Sequence, residues 1–177
     1  LTVPNRTVNE DAGAQTVGGF ATPSNGATQL EGSQTFSYAL SNNNNALFSA
    51  QPAIAPNGTL TFTPATDAHG SATVTVNVTD SGGTANGGDN SATRTFALTV
   101  NSVNDEPIAT FASNPSAVNE DAGQQTINSY VSTVNGATQL EGSQTFTYTV
   151  TRASGTSGLF SSGPAIDANG TLTYTPK

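Results

Sequence analysis

A chain of 177 residues with twelve acids against four Lys and Arg carries a net charge of −8, which excludes a nucleic-acid partner held through phosphates and a polybasic membrane-surface segment. The absence of Cys removes disulfides, thiol nucleophiles and zinc–thiolate sites. No apolar run approaches the roughly 18 residues of a membrane helix, and the length accommodates one or two domains.

Along the chain, apolar residues alternate with Thr, Ser and Asn instead of recurring at helical spacing. With Gly, Pro and Asn between the runs, the alternation predicts seven strands in the first hundred residues or so. They cover about 2–8, 14–20, 34–41, 46–51, 59–63, 71–79 and 92–103. In the sixth, Val74, Val76 and Val78 share one face, with Thr73, Thr75 and Asn77 on the other. Leu60 and Phe62, and then Phe96, Leu98 and Val100, alternate with Thr in the same way. The expected fold is all-β. Seven short strands at this spacing form the pattern of an immunoglobulin-like sandwich, without the Cys and Trp of antibody domains.

The chain then repeats itself. Val8-Asn-Glu-Asp-Ala-Gly13 recurs as Val118-Asn-Glu-Asp-Ala-Gly123, and 25–36 recurs unchanged as 135–146. Beyond a two-residue insertion, Leu47-Phe48 and Asn57-Gly-Thr-Leu60 return as Leu159-Phe160 and Asn169-Gly-Thr-Leu172. A period this long signals an array of domains, since solenoid units span only about 20–50 residues. The expected organisation is therefore tandem seven-stranded immunoglobulin-like β-sandwiches: a complete repeat at 1–103, a linker at 104–107, and a second, truncated repeat at 108–177. The second matches only the first five strands. Either the chain is a window on a longer one, or strands from another molecule complete it. Pro107 fixes φ and extends the residue before it, so the linker predicts an elongated pair.

Alternating strand direction sorts the loops to two ends. Glu10, Asp11, Asp67 and His69 fall at the end where the linker residues Asn104, Asp105 and Glu106 leave, and Glu141 of the second repeat is expected to reach the same junction. Calcium takes ~6–8 oxygen ligands, so Glu10, Asp11, Asp67, Asn104, Asp105, Glu106 and Glu141 are candidate Ca2+ ligands. The competing reading makes the same Asp and Asn residues turn formers through local hydrogen bonds. Glu31, Asp80 and Asp89 fall at the opposite end. There Asp80 and Asp89, near Gly87-Gly88, fit either a second ion or an ordinary loop. His69 has no second His beside it and reads as an exposed loop residue.

Catalysis has little to build on. The acid pairs at 10–11 and 105–106 lack anything to hold a sugar: there is no Trp, and Tyr38, Tyr148 and Tyr174 alternate with Thr or Ser as core-facing strand residues. The single His, missing from the second repeat, leaves no nucleophilic triad. The Asn-x-Thr sequences at Asn5, Asn57, Asn77 and Asn169 indicate surface exposure at most. No enzyme is expected.

The Val-Asn-Glu-Asp-Ala-Gly opening, the 46–70 segment with Pro-Asn-Gly-Thr-Leu-Thr-Phe-Thr-Pro, the Val-Thr-Asp-Ser-Gly-Gly of 78–83 and Val103-Asn-Asp-Glu-Pro107 resemble the tandem cadherin-like or immunoglobulin-like repeats of giant bacterial surface proteins and adhesins. The resemblance covers the first repeat and what exists of the second. It implies a structural spacer or stalk, extracellular or on the bacterial cell surface, with calcium at domain junctions. Its partners would be neighbouring repeats of the same chain or other copies in a fibre. The alternative is an adhesion module that binds glycan or protein through its loops. The loops largely repeat between units, which favours the spacer.

Overall fold

The computed structural model describes residues 1–22, 34–85, 88–134, 144–152 and 158–177. It divides the chain into two units, Leu1–Val103 and Asn104–Lys177. Among the described residues there is no α-helix; apart from a 3-10 turn at Asn45–Leu47, regular structure is strand.

Unit one contains β1 (Arg6–Asn9), β2 (Gln15–Val17), β3 (Phe36–Asn42), β4 (Phe48–Ile54), β5 (Leu60–Pro64), β6 (Gly70–Asp80) and β7 (Ser91–Asn101). They form a four-stranded sheet in the order β1-β7-β6-β3 and a three-stranded sheet in the order β2-β5-β4. β6 and β7 pair antiparallel from Gly70↔Val100 to Thr79↔Ser91. β3 lies antiparallel to β6, with Tyr38 opposite Val78. β1 runs parallel to β7, from Arg6↔Leu98 to Asn9↔Asn101.

The alternating residues face inward as their period requires. Val74, Val76, Phe96, Leu98 and Val100 from one sheet meet Phe48, Ile54, Leu60 and Phe62 from the other in a single buried cluster. Phe20 packs edge-on against Phe96 at 4.8 Å between ring centres, and Phe48 against Phe62 at 5.9 Å. Fully burying each Val, Leu or Phe is worth about 1.5–3 kcal/mol. Much of this unit's stability therefore comes from the long central pair, β6 and β7.

Three expected strands shift an end by three residues or more, the second of them, expected at 14–20, being strand only over Gln15–Val17. The first breaks at Pro4, which has no N–H to give a ladder. Before it, Thr2 bridges Thr22 through two 3.2 Å hydrogen bonds; after it, β1 joins β7, and Asn5 Oδ1 accepts the Ala97 N–H at 2.8 Å. The strand expected at 46–51 starts at Phe48 because the preceding residues turn to bury Leu47. It runs on through Pro52 with shifts of register, as a proline in an edge strand demands.

Unit two contains β8 (Ile108–Phe111), β9 (Gln125–Ile127), β10 (Val131–Val134), β11 (Phe160–Ile166) and β12 (Leu172–Pro176). The sheet β11-β12-β9 rebuilds β4-β5-β2 of unit one. Gln125 faces Tyr174 where Gln15 faces Phe62, and Phe160 faces Pro176 where Phe48 faces Pro64. β8 pairs antiparallel with β10.

The four-stranded sheet is not rebuilt. Residues 116–119 and 146–152, which the repeat aligns with β1 and β3, lie in no strand. In unit one those strands pair with β7 and β6, and none of the described residues of unit two corresponds to either. A strand without a neighbour has nothing to take its backbone N–H and C=O groups. The core opens accordingly: Leu159 is 54% exposed where its counterpart Leu47 is 2%. Tyr130 packs on Phe111 at 6.2 Å, whereas its counterpart Phe20 packs on Phe96.

Candidate functional site at the exit end of unit one

The Val8-Asn-Glu-Asp-Ala-Gly13 segment carries the chain out of β1 through a tight turn. Asp11 has φ +58° and Gly13 φ +67°, left-handed values that Asp and Gly tolerate best. Gln15 Nε2 donates back to the carbonyls of Ala12 at 3.0 Å and Gly13 at 3.3 Å. The second copy folds alike: Asp121 has φ +57°, Gly123 φ +69°, and Gln125 Nε2 reaches the carbonyls of Ala122 and Gly123, both at 3.2 Å. The turn is set by its own residues.

What surrounds it differs between the units. The Glu10 N–H donates to the Asn101 carbonyl at 2.9 Å, and Glu10 Oε1 accepts the Val103 N–H at 2.6 Å. Glu10 Oε2 stands 3.6 Å from His69 Nδ1, too long for a hydrogen bond, and neither atom has a hydrogen-bond partner among the described residues. The Glu10 side chain is 1% exposed, whereas Glu120, its copy, is exposed. A buried carboxylate needs a donor, and the Val103 N–H, two residues beyond the end of β7, supplies one.

His69, expected in solvent, is half-buried and faces Glu10. The signal lay in the sorting of loops, which already placed both residues at one end. Beside them, the Asp67 N–H donates to Asp11 Oδ1 at 3.4 Å, with Asp67 also left-handed at φ +57°. Carboxylate oxygens of Asp11 and Asp67 lie within 4.8 Å of each other. Asp11 is exposed and Asp67 half-buried, so this oxygen pair is open to solvent on one side.

In the linker, Asn104 Nδ2 donates to the Asp105 carbonyl at 3.0 Å, and Gln144 Nε2 donates to Asn104 Oδ1 at 3.0 Å. Asp105 is half-buried and Glu106 exposed. Glu31 and Glu141 lie outside the described residues. The structure thus brings together Glu10 with His69 and Asp11 with Asp67.

At the opposite end of unit one, Asp80 Oδ1 accepts the Gly82 N–H at 2.7 Å and Asp89 Oδ1 accepts the Ser91 N–H at 3.0 Å. Both serve as turn residues. Tyr38, on β3, turns its ring toward the core. Its buried hydroxyl has no hydrogen-bond partner among the described residues, and burial pushes its ionisation above the ordinary phenol range.

Hard oxygen donors dominate the exit end, a donor set suited to calcium or to plain turn formation. No family model matches the chain, and no curated protein matches it.

Proposed function

We propose that the chain is a structural spacer of an extracellular adhesin or surface fibre, built from immunoglobulin/cadherin-like repeats and without catalytic activity. The parallel pairing of β1 with β7 carries this reading. Chain entering unit one through β1 and chain leaving through β7 run in the same direction along neighbouring strands. Tension applied at Leu1 and Val103 therefore shears the four registered pairs from Arg6↔Leu98 to Asn9↔Asn101 together. A hairpin pulled at its open end would yield one bond at a time. The Glu10–Val103 hydrogen bond adds a side-chain fastening to the same seam.

The repeated loops support the spacer as well, since a ligand-reading surface gains nothing from copying 25–36 unchanged into 135–146. Calcium is the cation this reading brings in. Asp11 and Asp67 would supply ligand oxygens at the end of unit one, and the acids of the linker follow two residues after Val103.

Force spectroscopy tests the mechanical claim. With handles flanking 1–103, unit one should resist as a shear clamp and break in one step. Val8→Pro, which removes a backbone donor from β1, should lower that force sharply. Unfolding at a force no higher than hairpin unzipping, unchanged by Val8→Pro, would overturn the spacer reading.

A further inference from the structure

We infer that Glu10 and His69 form a binding site for one divalent metal ion that accepts nitrogen as well as oxygen, with Zn2+ as the type, separate from the oxygen pair of Asp11 and Asp67. The inference goes beyond the spacer reading and does not depend on it.

Glu10 follows β1 and His69 precedes β6, so an ion held by both would fasten the turn after β1 to the loop between β5 and β6. The two side chains meet through Glu10 Oε2 and His69 Nδ1, 3.6 Å apart. Both atoms are buried, and neither has a hydrogen-bond partner among the described residues. A carboxylate oxygen and a ring nitrogen buried against each other are costly unless a cation stands between them.

The spacing says which cation. A proton shared between carboxylate and imidazole draws the two atoms to about 2.7–2.9 Å. Zinc holds imidazole nitrogen at about 2.0–2.1 Å and carboxylate oxygen at about 2.0–2.2 Å, which at a tetrahedral angle sets the two ligand atoms about 3.3–3.5 Å apart. The 3.6 Å separation is closer to that of two ligands on one metal. Calcium fits poorly, since its ligands are oxygens at longer distances. Imidazole suits zinc, copper and nickel.

The ligands are also held in advance. Glu10 Oε1 accepts the Val103 N–H at 2.6 Å, and the Glu10 N–H donates to the Asn101 carbonyl at 2.9 Å. One carboxylate oxygen is thereby anchored and the other left facing the ring. Carboxylates that ligate a metal are themselves hydrogen-bonded in this manner. The Glu10 side chain is 1% exposed and the His69 side chain 29%. The ion is therefore reached from the His69 side, where water completes a four-ligand shell.

The chain's single His makes the test unambiguous. Zn2+ is titrated into the full chain without calcium, while the imidazole resonances and the heat of binding are recorded. Near one ion per chain, the His69 ring signals should shift and the melting temperature should rise. Glu10→Gln, which keeps an acceptor for the Val103 N–H, and His69→Asn should each weaken binding by about ten-fold or more. Asp11→Asn and Asp67→Asn should leave zinc binding unchanged, and millimolar Ca2+ should not move the ring signals. The zinc and calcium readings therefore fail separately. Ring signals that stay in place with Zn2+ overturn the proposal, as does full binding in His69→Asn. A loss in Asp67→Asn equal to that in His69→Asn would place the ion between the acids, and overturns it too.

Discussion

The Glu10 carboxylate accepts the Val103 backbone N–H at 2.6 Å across 93 positions of sequence. The contact joins the residue that follows β1, the first strand of the four-stranded sheet, to the point where the chain leaves unit one. β1 is paired along only four residues, so a charge-assisted bond at its end is a large share of what holds it.

Removing that acceptor should be costly. Glu10→Ala removes a hydrogen bond to a buried charged group, a loss of about 1.5–3 kcal/mol. Glu10→Gln keeps an acceptor oxygen at the same place and should recover most of it. Glu120→Ala, in the same motif but exposed, should change stability by less than about 0.5 kcal/mol. Urea unfolding of the three variants gives the comparison; equal effects at Glu10 and Glu120 would show that the Val103 contact contributes nothing.

Gly58 tests the local geometry that both repeats share. It sits at φ +80°, and a Cβ added there would run into the Ala21 carbonyl oxygen; Gly170 at φ +77° meets the Val131 carbonyl oxygen in the same way. The close approach carries hydrogen bonds, Ala21 N–H to Gly58 O and Val131 N–H to Gly170 O, both 3.0 Å. Gly58→Ala should cost at least about 1–3 kcal/mol from strain alone. A melting temperature within error of the unsubstituted chain would mean that the turn relaxes freely.

The two copies of one motif separate what sequence decides locally from what it does not. Strands β6 and β7 are legible because Val, Phe and Leu alternate with Thr over many residues, and the turn at 10–13 because Asp, Gly and Gln build it unaided. Burial of Glu10 is not legible, since it depends on the end of β7, more than ninety residues away in sequence. Phe36-Ser-Tyr38 becomes strand in unit one, where β6 runs beside it; Phe146-Thr-Tyr148 forms none in unit two. Strand propensity alone does not make a strand. The pairing of His69 with Glu10 was within reach of the loop sorting, but the absence of a second His hid it behind a metal-site question.

Tyr38 predicts an alkaline response. Burial holds its folded-state ionisation above that of the unfolded chain, which titrates near pH 10. The stabilisation that goes with the neutral phenol is complete below that pH. It is lost as pH rises through the folded-state value, because the unfolded chain releases its proton first. Tyr38→Phe should remove this part of the alkaline loss. At neutral pH it should change stability by no more than about 1 kcal/mol, since the buried hydroxyl it deletes has no hydrogen-bond partner among the described residues. Urea midpoints at pH 7 and pH 11 decide it: a parallel decline in both proteins would assign the loss to other groups.

Calcium provides the last prediction. Asp11 and Asp67 hold carboxylate oxygens within 4.8 Å of each other, and like charges that close repel until a cation or a proton intervenes. A cation bound to the folded state alone adds stability by mass action, about 2.7 kcal/mol at a hundred times its dissociation constant. Millimolar Ca2+ should therefore raise the melting temperature of the chain, and Mg2+, which demands a tighter octahedral shell, should raise it less. Asp11→Asn and Asp67→Asn keep shape and remove charge; each should abolish most of the rise while leaving the calcium-free melting temperature equal or higher. Glu120→Gln should leave the response intact. Isothermal calorimetry on the same proteins reads the binding directly. No heat of binding, together with identical melting with and without calcium, would leave the acids of this end as turn residues and strip the cation from the spacer.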